Sequence, residues 1–280
     1  MSTSMSHNNQ KKIALINDFT GFGKCSITVS LPIISALKIQ CCPIPTSIFS
    51  NHTAYPEYFF DDYTDKMQSY IDKWKCLELQ FEGISTGFLG DARQIYIVEK
   101  FIKEYTGSNT IVIVDPVMGD YGVKYATYTN ELCDKMKELV KYAHIVTPNI
   151  TEACILAGED YQEVSSSDEK IREVADKILD MGPSKVVITG IDRGEYINNY
   201  ILQRDVGSEM LVGRKVGIER SGTGDIFSSI ISADAVNGID FKESVKKAAD
   251  FINKCLVLSD KRDIPKEDGV CFEDILTTLS

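Results

Sequence analysis

No stretch of this 280-residue chain approaches the ~20 consecutive apolar residues that a membrane-spanning helix needs, which excludes a helical membrane protein. No Cys-x-x-Cys pair occurs among its eight cysteines, so zinc-ribbon and thioredoxin-like readings fail. The Gly-x4-Gly-Lys-Ser/Thr phosphate loop is missing too. Only three histidines are present, at 7, 52 and 144; they are too scattered for a catalytic zinc centre and suggest no Ser-His-Asp arrangement. Basic residues are outnumbered, 30 against 41 acids, for a net charge of −11. A chain so acidic is a poor general nucleic-acid binder, because that affinity rests on neutralising phosphates. It can still hold a small anion on backbone amides and helix N-termini. Residues 1–10 lack an apolar signal-peptide core and read as a disordered tail ahead of one domain, 11–280. Cysteines scattered through apolar stretches are expected as reduced thiols, and the expected location is cytoplasmic.

Strand-like and helix-like segments alternate. Apolar, β-branched runs at 11–17, 41–49, 82–89, 110–117, 144–149 and 185–192 predict strands, the fourth buried on both faces. Apolar residues at three- and four-residue spacing predict helices over 62–74, 91–105, 130–142 and 167–181. Phe241, Val245, Ala248, Ile252 and Leu256 mark one face of another. Residues 196–216 predict two or three antiparallel strands. The pattern implies an α/β sandwich with a mostly parallel sheet, whose ligands bind at the carboxyl ends of the strands. The aromatics Tyr55, Tyr58, Phe59, Phe60 and Tyr63 are expected to pack beneath a loop.

Those strand ends are rich in small, polar and acidic residues. The sharpest is Ser221-Gly222-Thr223-Gly224-Asp225, followed by an apolar helix. Short residues let the chain turn tightly and aim successive N–H groups outward, and the helix adds its positive end. Together they suit an anion that forms in a transition state, with Asp225 placed to take a proton from a hydroxyl; taken alone, the pattern also fits a plain glycine turn with an N-terminal helix acid. Asp115, Asp120 and Glu152 are carboxylates of the kind that serve Mg²⁺ beside a nucleotide; Glu152 also fits a plain first-turn helix acid. Gly21-Phe22-Gly23 begins a dinucleotide fingerprint, but Ser26 replaces its third glycine and the acid expected ~20 residues later is missing. His144 reads as structural, whereas His52 fits a substrate contact or a loop hydrogen bond equally.

Ser50-Asn51-His52-Thr53-Ala54-Tyr55, Thr86-Gly87-Phe88, Asp115-Pro116-Val117-Met118-Gly119-Asp120, Thr147-Pro148-Asn149-Ile150-Thr151-Glu152 and Gly222-Thr223-Gly224-Asp225 together resemble the pyridoxal kinase family of the ribokinase-like superfamily. The resemblance runs in order over about 12–258. It implies a three-layer α/β/α sandwich, ATP-dependent phosphorylation of the 5′-hydroxyl of pyridoxal, pyridoxine or pyridoxamine, and a homodimer. By the same resemblance Asp225 is the base, and Gly222, Thr223 and Gly224 form the anion hole. Asp115, Asp120, Thr147 and Glu152 serve Mg²⁺ and a monovalent cation, K⁺ in most relatives, with Thr189 close to the latter. Asp115, Asn149, Glu152, Thr189, Gly190 and Thr223 face ATP. Asn17, Asp18, Ser50, His52, Thr53, Phe88 and Asp225 face the vitamin, with Asp18 or Asn17 hydrogen-bonding the ring. Adenine is expected near 214–218 and the 251–258 helix. The stretch Asn17-Asp18-Phe19-Thr20-Gly21-Phe22-Gly23 departs from the serine-rich segment of many pyridoxal kinases. An acid there resembles hydroxymethylpyrimidine kinases of the same superfamily, the alternative reading.

Overall fold

The computed structural model describes residues 7–279. In chain order the strands are β1 (Lys12–Thr20), β2 (Gln40–Phe49), β3 (Phe60–Asp62), β4 (Gly83–Thr86), β5 (Ile111–Val114), β6 (Gly119–Asp120), β7 (Val123–Lys124), β8 (Ile145–Val146), β9 (Lys185–Asp192), β10 (Tyr196–Gln203) and β11 (Gly207–Arg214). The α-helices are α1 (Ile27–Ala36), α2 (Thr64–Cys76), α3 (Ala92–Tyr105), α4 (Asn130–Val140), α5 (Ile150–Ala157), α6 (Tyr161–Ser165), α7 (Asp168–Asp180), α8 (Thr223–Asn237) and α9 (Phe241–Lys261). Nine strands form one sheet in the order β11-β10-β9-β8-β5-β4-β1-β2-β3. Its centre, β2 through β9, is parallel; β3 at one edge and β10–β11 at the other are antiparallel. The separate β6–β7 hairpin follows β5.

Two hydrophobic layers explain the continuous apolar runs. Ala14, Ile16, Val112, Val114, Val186 and Ile188 face one layer, with residues from α2, α3, α4, α5 and α7. Ile13, Ile113 and Val187 face the other, against α1, α8 and α9. Successive strand residues point to opposite faces, so a strand covered by helices on both sides must be apolar at every position. Helix α8 is buried along most of its length, Ile226, Phe227, Ile230 and Ile231 together with Ser228, Ser229 and Ser232, so it lacks a polar face.

Among the aromatics, Phe101 is 1% exposed and stacks on Tyr105 with ring centroids 4.4 Å apart. Phe101→Ala is expected to cost about 3–5 kcal/mol, since both the transfer and the cavity terms fall on a site that cannot collapse. Urea denaturation with an unchanged m-value measures it. The expected aromatic packing after β2 is met in part: Tyr63 packs on the core, Tyr55 lies against Phe22 and His52, and Tyr58 and Phe60 touch the buried Phe49 while remaining, like Phe59, exposed. Of the expected tail, residues 1–6 lie outside the described residues. His7 reaches the Leu77 carbonyl at 2.6 Å and Asn8 donates to Gln40 at 3.3 Å. All eight cysteines are free. Among the described residues no helix is long and apolar enough to cross a membrane.

Candidate active site

The loops after β1, β2, β4, β5 and β8 meet the start of α8 at the carboxyl edge of the sheet. Gly222 caps α8 with φ +93°, in the left-handed region that favours glycine. An added Cβ there would collide with the Lys24 carbonyl oxygen and come within 3.3 Å of Val270. Thr223 and Asp225 then lie in the first turn, where the helix dipole favours negative charge. The Thr223 hydroxyl donates to the Arg220 carbonyl at 3.3 Å.

Asp225 is half-buried at the start of α8. Asn17 Nδ2 donates to its Oδ1 at 3.3 Å, while Asn17 Oδ1 accepts from the amides of Phe88 at 2.8 Å and Asp18 at 2.9 Å. Gly87 makes this possible, because a side chain there would strike the Asn17 carboxamide. Desolvation pushes the Asp225 carboxyl up to about 6; the Ser26 amide and Asn17 oppose the rise, and the Asp18 charge adds to it. Asp115 is pushed up to about 7 by desolvation and then by Asp225, with Ser228 and Thr147 hydroxyls opposing. Glu152 is raised well above the usual range by burial and by Asp115. Its two oxygens accept from the Asn149 amide at 2.8 Å and the Met118 amide at 3.1 Å. Asn149 returns the bond to the Glu152 amide at 2.9 Å, closing a capping box on α5, and ties Gly119 through its Nδ2 at 2.9 Å. Burial also raises Asp120.

Among the described residues no three histidine, cysteine or acidic side chains are arranged to hold a metal. Of the expected set Asp115, Asp120, Thr147 and Glu152, Glu152 already accepts from two backbone amides. The chemistry of the donors still fits a hydrated cation. Asp115 and Glu152 repel each other, and no basic side chain figures among the neighbours that shift either one. Such carboxylates hold protons in the fold that the unfolded chain releases near pH 4. Stability is therefore full below that pH and lost as pH rises toward about 7. With divalent cations removed by EDTA, the melting temperature should be lower at pH 7.5 than at pH 5.5. Asp225 alone contributes about 3 kcal/mol over its full titration range, at ~1.4 kcal/mol per pKa unit, of which about 1 kcal/mol falls between pH 5.5 and 7.5. Mg²⁺ should recover the loss at pH 7.5, and Asp115→Asn should flatten the profile.

The remaining expected residues are placed as follows. Asp18 is 4% exposed, and its carboxylate accepts from Thr20 Oγ1 at 2.5 Å and from the Ser26 hydroxyl. It holds the loop after β1 from within. Ser50 Oγ accepts from the Phe59 amide at 2.8 Å and donates to Asn51. His52 realises the loop alternative: Nε2 lies 2.6 Å from the Glu267 carbonyl and Nδ1 accepts from the Ala54 amide. Thr53 is exposed beside it. Phe88 packs edge-on against Phe49 and Tyr128. Thr189 bridges to Asn149 and donates its amide to Pro148, and Gly190 follows at φ +71°. His144 is structural, its Nδ1 accepting from the Val112 amide at 3.0 Å. Burial, with Asp225 next, pushes the Cys25 thiol up to about 12, so it is no nucleophile at neutral pH.

Sequence reasoning missed Ser26, Ser228 and Tyr125. Ser228 carried a signal, three residues beyond Asp225 on the same helical face. Ser26 carried none, because its role depends on a loop backbone at φ +59°. Tyr125 sits over the acids; burial and then Glu152, Asp120, Asp115 and Asp225 raise it.

Residues 28–269 match the family model described as phosphomethylpyrimidine kinase. A solved protein of Bacteroides thetaiotaomicron, provisionally named a phosphomethylpyrimidine kinase, is 35% identical with TM-score 0.94, over 98% of this chain and 96% of that one. Its orthorhombic crystal form is described with pyridoxal. The chain is also 30% identical to the pyridoxine kinase of Bacillus subtilis over 177 residues, and 30% identical to the pyridoxal kinase of Bos taurus over 207. These stretches span 62% and 66% of this chain and 64% of each relative. The resemblance to pyridoxal kinases drawn from the motifs is borne out. The chain belongs to the phosphomethylpyrimidine kinase family and has the ribokinase-like fold.

Proposed function

We propose that this protein transfers the γ-phosphoryl group of ATP to the hydroxymethyl oxygen of pyridoxal and its close vitamers. The observation that carries the reading is Asp225. Its carboxyl lies in the first turn of α8, just after the Gly222 turn, and has a pKa close enough to neutrality to take a hydroxyl proton. The substrate lies under the 50–55 loop with its hydroxyl aimed at Asp225. Asn17 fixes the carboxylate, and the amides of 222–224 meet the charge that builds on the γ-oxygens. Asn149, Thr189, Gly190 and Thr223 line the nucleotide side, with adenine near 214–218. Asp115, Asp120 and Glu152 would hold Mg²⁺ through water, and Thr147 and Thr189 would border K⁺. Bound there, Mg²⁺ supplies positive charge to the phosphate oxygens. Asn17 or Asp18, with Thr53 and Phe88, would meet the pyridine ring. The family resemblance adds a homodimer and a cytoplasmic location to the proposal.

A second reading, a hydroxymethylpyrimidine or phosphomethylpyrimidine kinase, is favoured by the matching family model. Both readings share the base and the anion hole. Purified protein with ATP, Mg²⁺, K⁺ and a panel of pyridoxal, pyridoxine, pyridoxamine, hydroxymethylpyrimidine and ribose tests them, with products read by mass spectrometry. Phosphorylated vitamers are the expected products. Phosphate on the pyrimidine alone moves the substrate, and no phosphorylated product at all ends the proposal.

A further inference from the structure

Arg220 stands two residues ahead of the Gly222 turn and is only 5% exposed. One terminal nitrogen donates to the carbonyls of Ile264 at 2.6 Å and Pro265 at 2.8 Å; the other reaches Asp260 at 3.1 Å. These bonds seat the stretch 264–270, after α9, against the base of the anion-hole loop. The Val270 amide donates to the Ser221 carbonyl at 3.1 Å. Gly269, at φ +83°, lies so close to the Gly23 carbonyl and to Lys24 that no side chain would fit.

The same stretch also grips the 50–55 loop. His52 Nε2 reaches the Glu267 carbonyl and the Tyr55 hydroxyl donates to Asp268 at 2.7 Å. The His52 amide donates to the Phe22 carbonyl at 3.2 Å, and its ring lies against Gly23. One strap is therefore fastened to three loops: the loop after β1, whose Ser26 amide meets Asp225, the 50–55 loop, and the turn that opens α8.

We propose that Arg220 is a positioning residue for phosphoryl transfer, acting through the 264–270 strap to set the anion-hole amides in register with the substrate loop. The inference rests on the kinase reading above. A guanidinium taken out of water is costly, and a buried ion pair adds little stability beyond what apolar packing would give. What it does impose is geometry: a planar fork that fixes two successive carbonyls and one carboxylate. Arg220 does not act on the acids directly, for it is not among the charges that shift Asp225, Asp115, Asp120 or Glu152. Displacing reacting groups by about 1 Å can cost ~10²-fold in rate.

The test compares wild type with Arg220→Gln, Arg220→Lys and Tyr55→Phe, measuring kcat, both KM values and the melting curve. Arg220→Gln is expected to lower kcat by about 10- to 100-fold per folded molecule, with the KM for ATP within about threefold. Arg220→Lys, which keeps the charge but loses the fork, recovers only part of that rate. Tyr55→Phe removes one of the two bonds between the strap and the substrate loop, leaving His52 on the Glu267 carbonyl, so its main effect falls on the KM for pyridoxal. A lowered melting temperature with kcat within about twofold of wild type would overturn the proposal. If Arg220→Gln gives no cooperative melt, Asp260→Asn, at the more exposed partner, is judged by the same criteria. An inactive wild type overturns the kinase reading itself, whereas an active wild type with an indifferent Arg220 overturns only the role of the strap.

Discussion

Asp225→Asn is expected to lower kcat by ~10²–10⁴-fold, the usual weight of general acid–base catalysis, with the KM for ATP nearly unchanged. Asparagine keeps the shape and can still accept from Asn17, so the cleft should persist while the proton acceptor is lost. In the wild type the carboxyl must be ionised to act. With its pKa near 6, kcat should fall about tenfold per pH unit below that value and level off above it. The acid limb should disappear in the variant. A variant with near-wild-type kcat, or an acid limb that survives the substitution, removes Asp225 from the role of base.

Gly222→Ala is expected to be nearly as damaging, for a different reason. Its φ of +93° costs alanine about 1 kcal/mol, and the added Cβ would collide with the Lys24 carbonyl oxygen. Relief requires the turn to move, and the amides at 223 and 224 move with it. Loss of a single aligned donor to a developing anion costs ~10²–10³-fold in kcat. Gly224 provides the contrast. A Cβ there meets nothing within 4 Å, so Gly224→Ala should melt like the wild type. Initial-rate kinetics and melting curves of the two variants side by side separate a misaimed turn from a general loss of fold.

The central strands were legible because a sheet covered on both faces needs an apolar residue at every position, as Ile111-Val112-Ile113-Val114 has. Helix α1 was not. Its sequence is β-branched, contains Pro32 and has no side-chain cap, so local preference argues against a helix that packing on α8 nevertheless forms. The two-residue strands β6 and β7 are too short to carry any periodicity. At the site, Asp225 and Glu152 stood out because an acid next to a helix start is recognisable from residue type and spacing, whereas Asn149 was named only by the family resemblance. The Asp18 contacts were not legible because strand-end position does not reveal which way a buried carboxylate turns; here Thr20 and Ser26 bond it. The Arg220 contacts were invisible because they join residues 40 and more positions apart.

The decisive measurement is a competition: equal pyridoxal and hydroxymethylpyrimidine, limiting ATP, and product ratio read by mass spectrometry over enzyme concentrations. The ratio reports the two kcat/KM values directly, without a separate determination of either constant. A product dominated by pyridoxal 5′-phosphate, and abolished in Asp225→Ala, is the result expected of the proposed enzyme. Phosphorylated pyrimidine in excess, or pyridoxal phosphate that persists without Asp225, would contradict it.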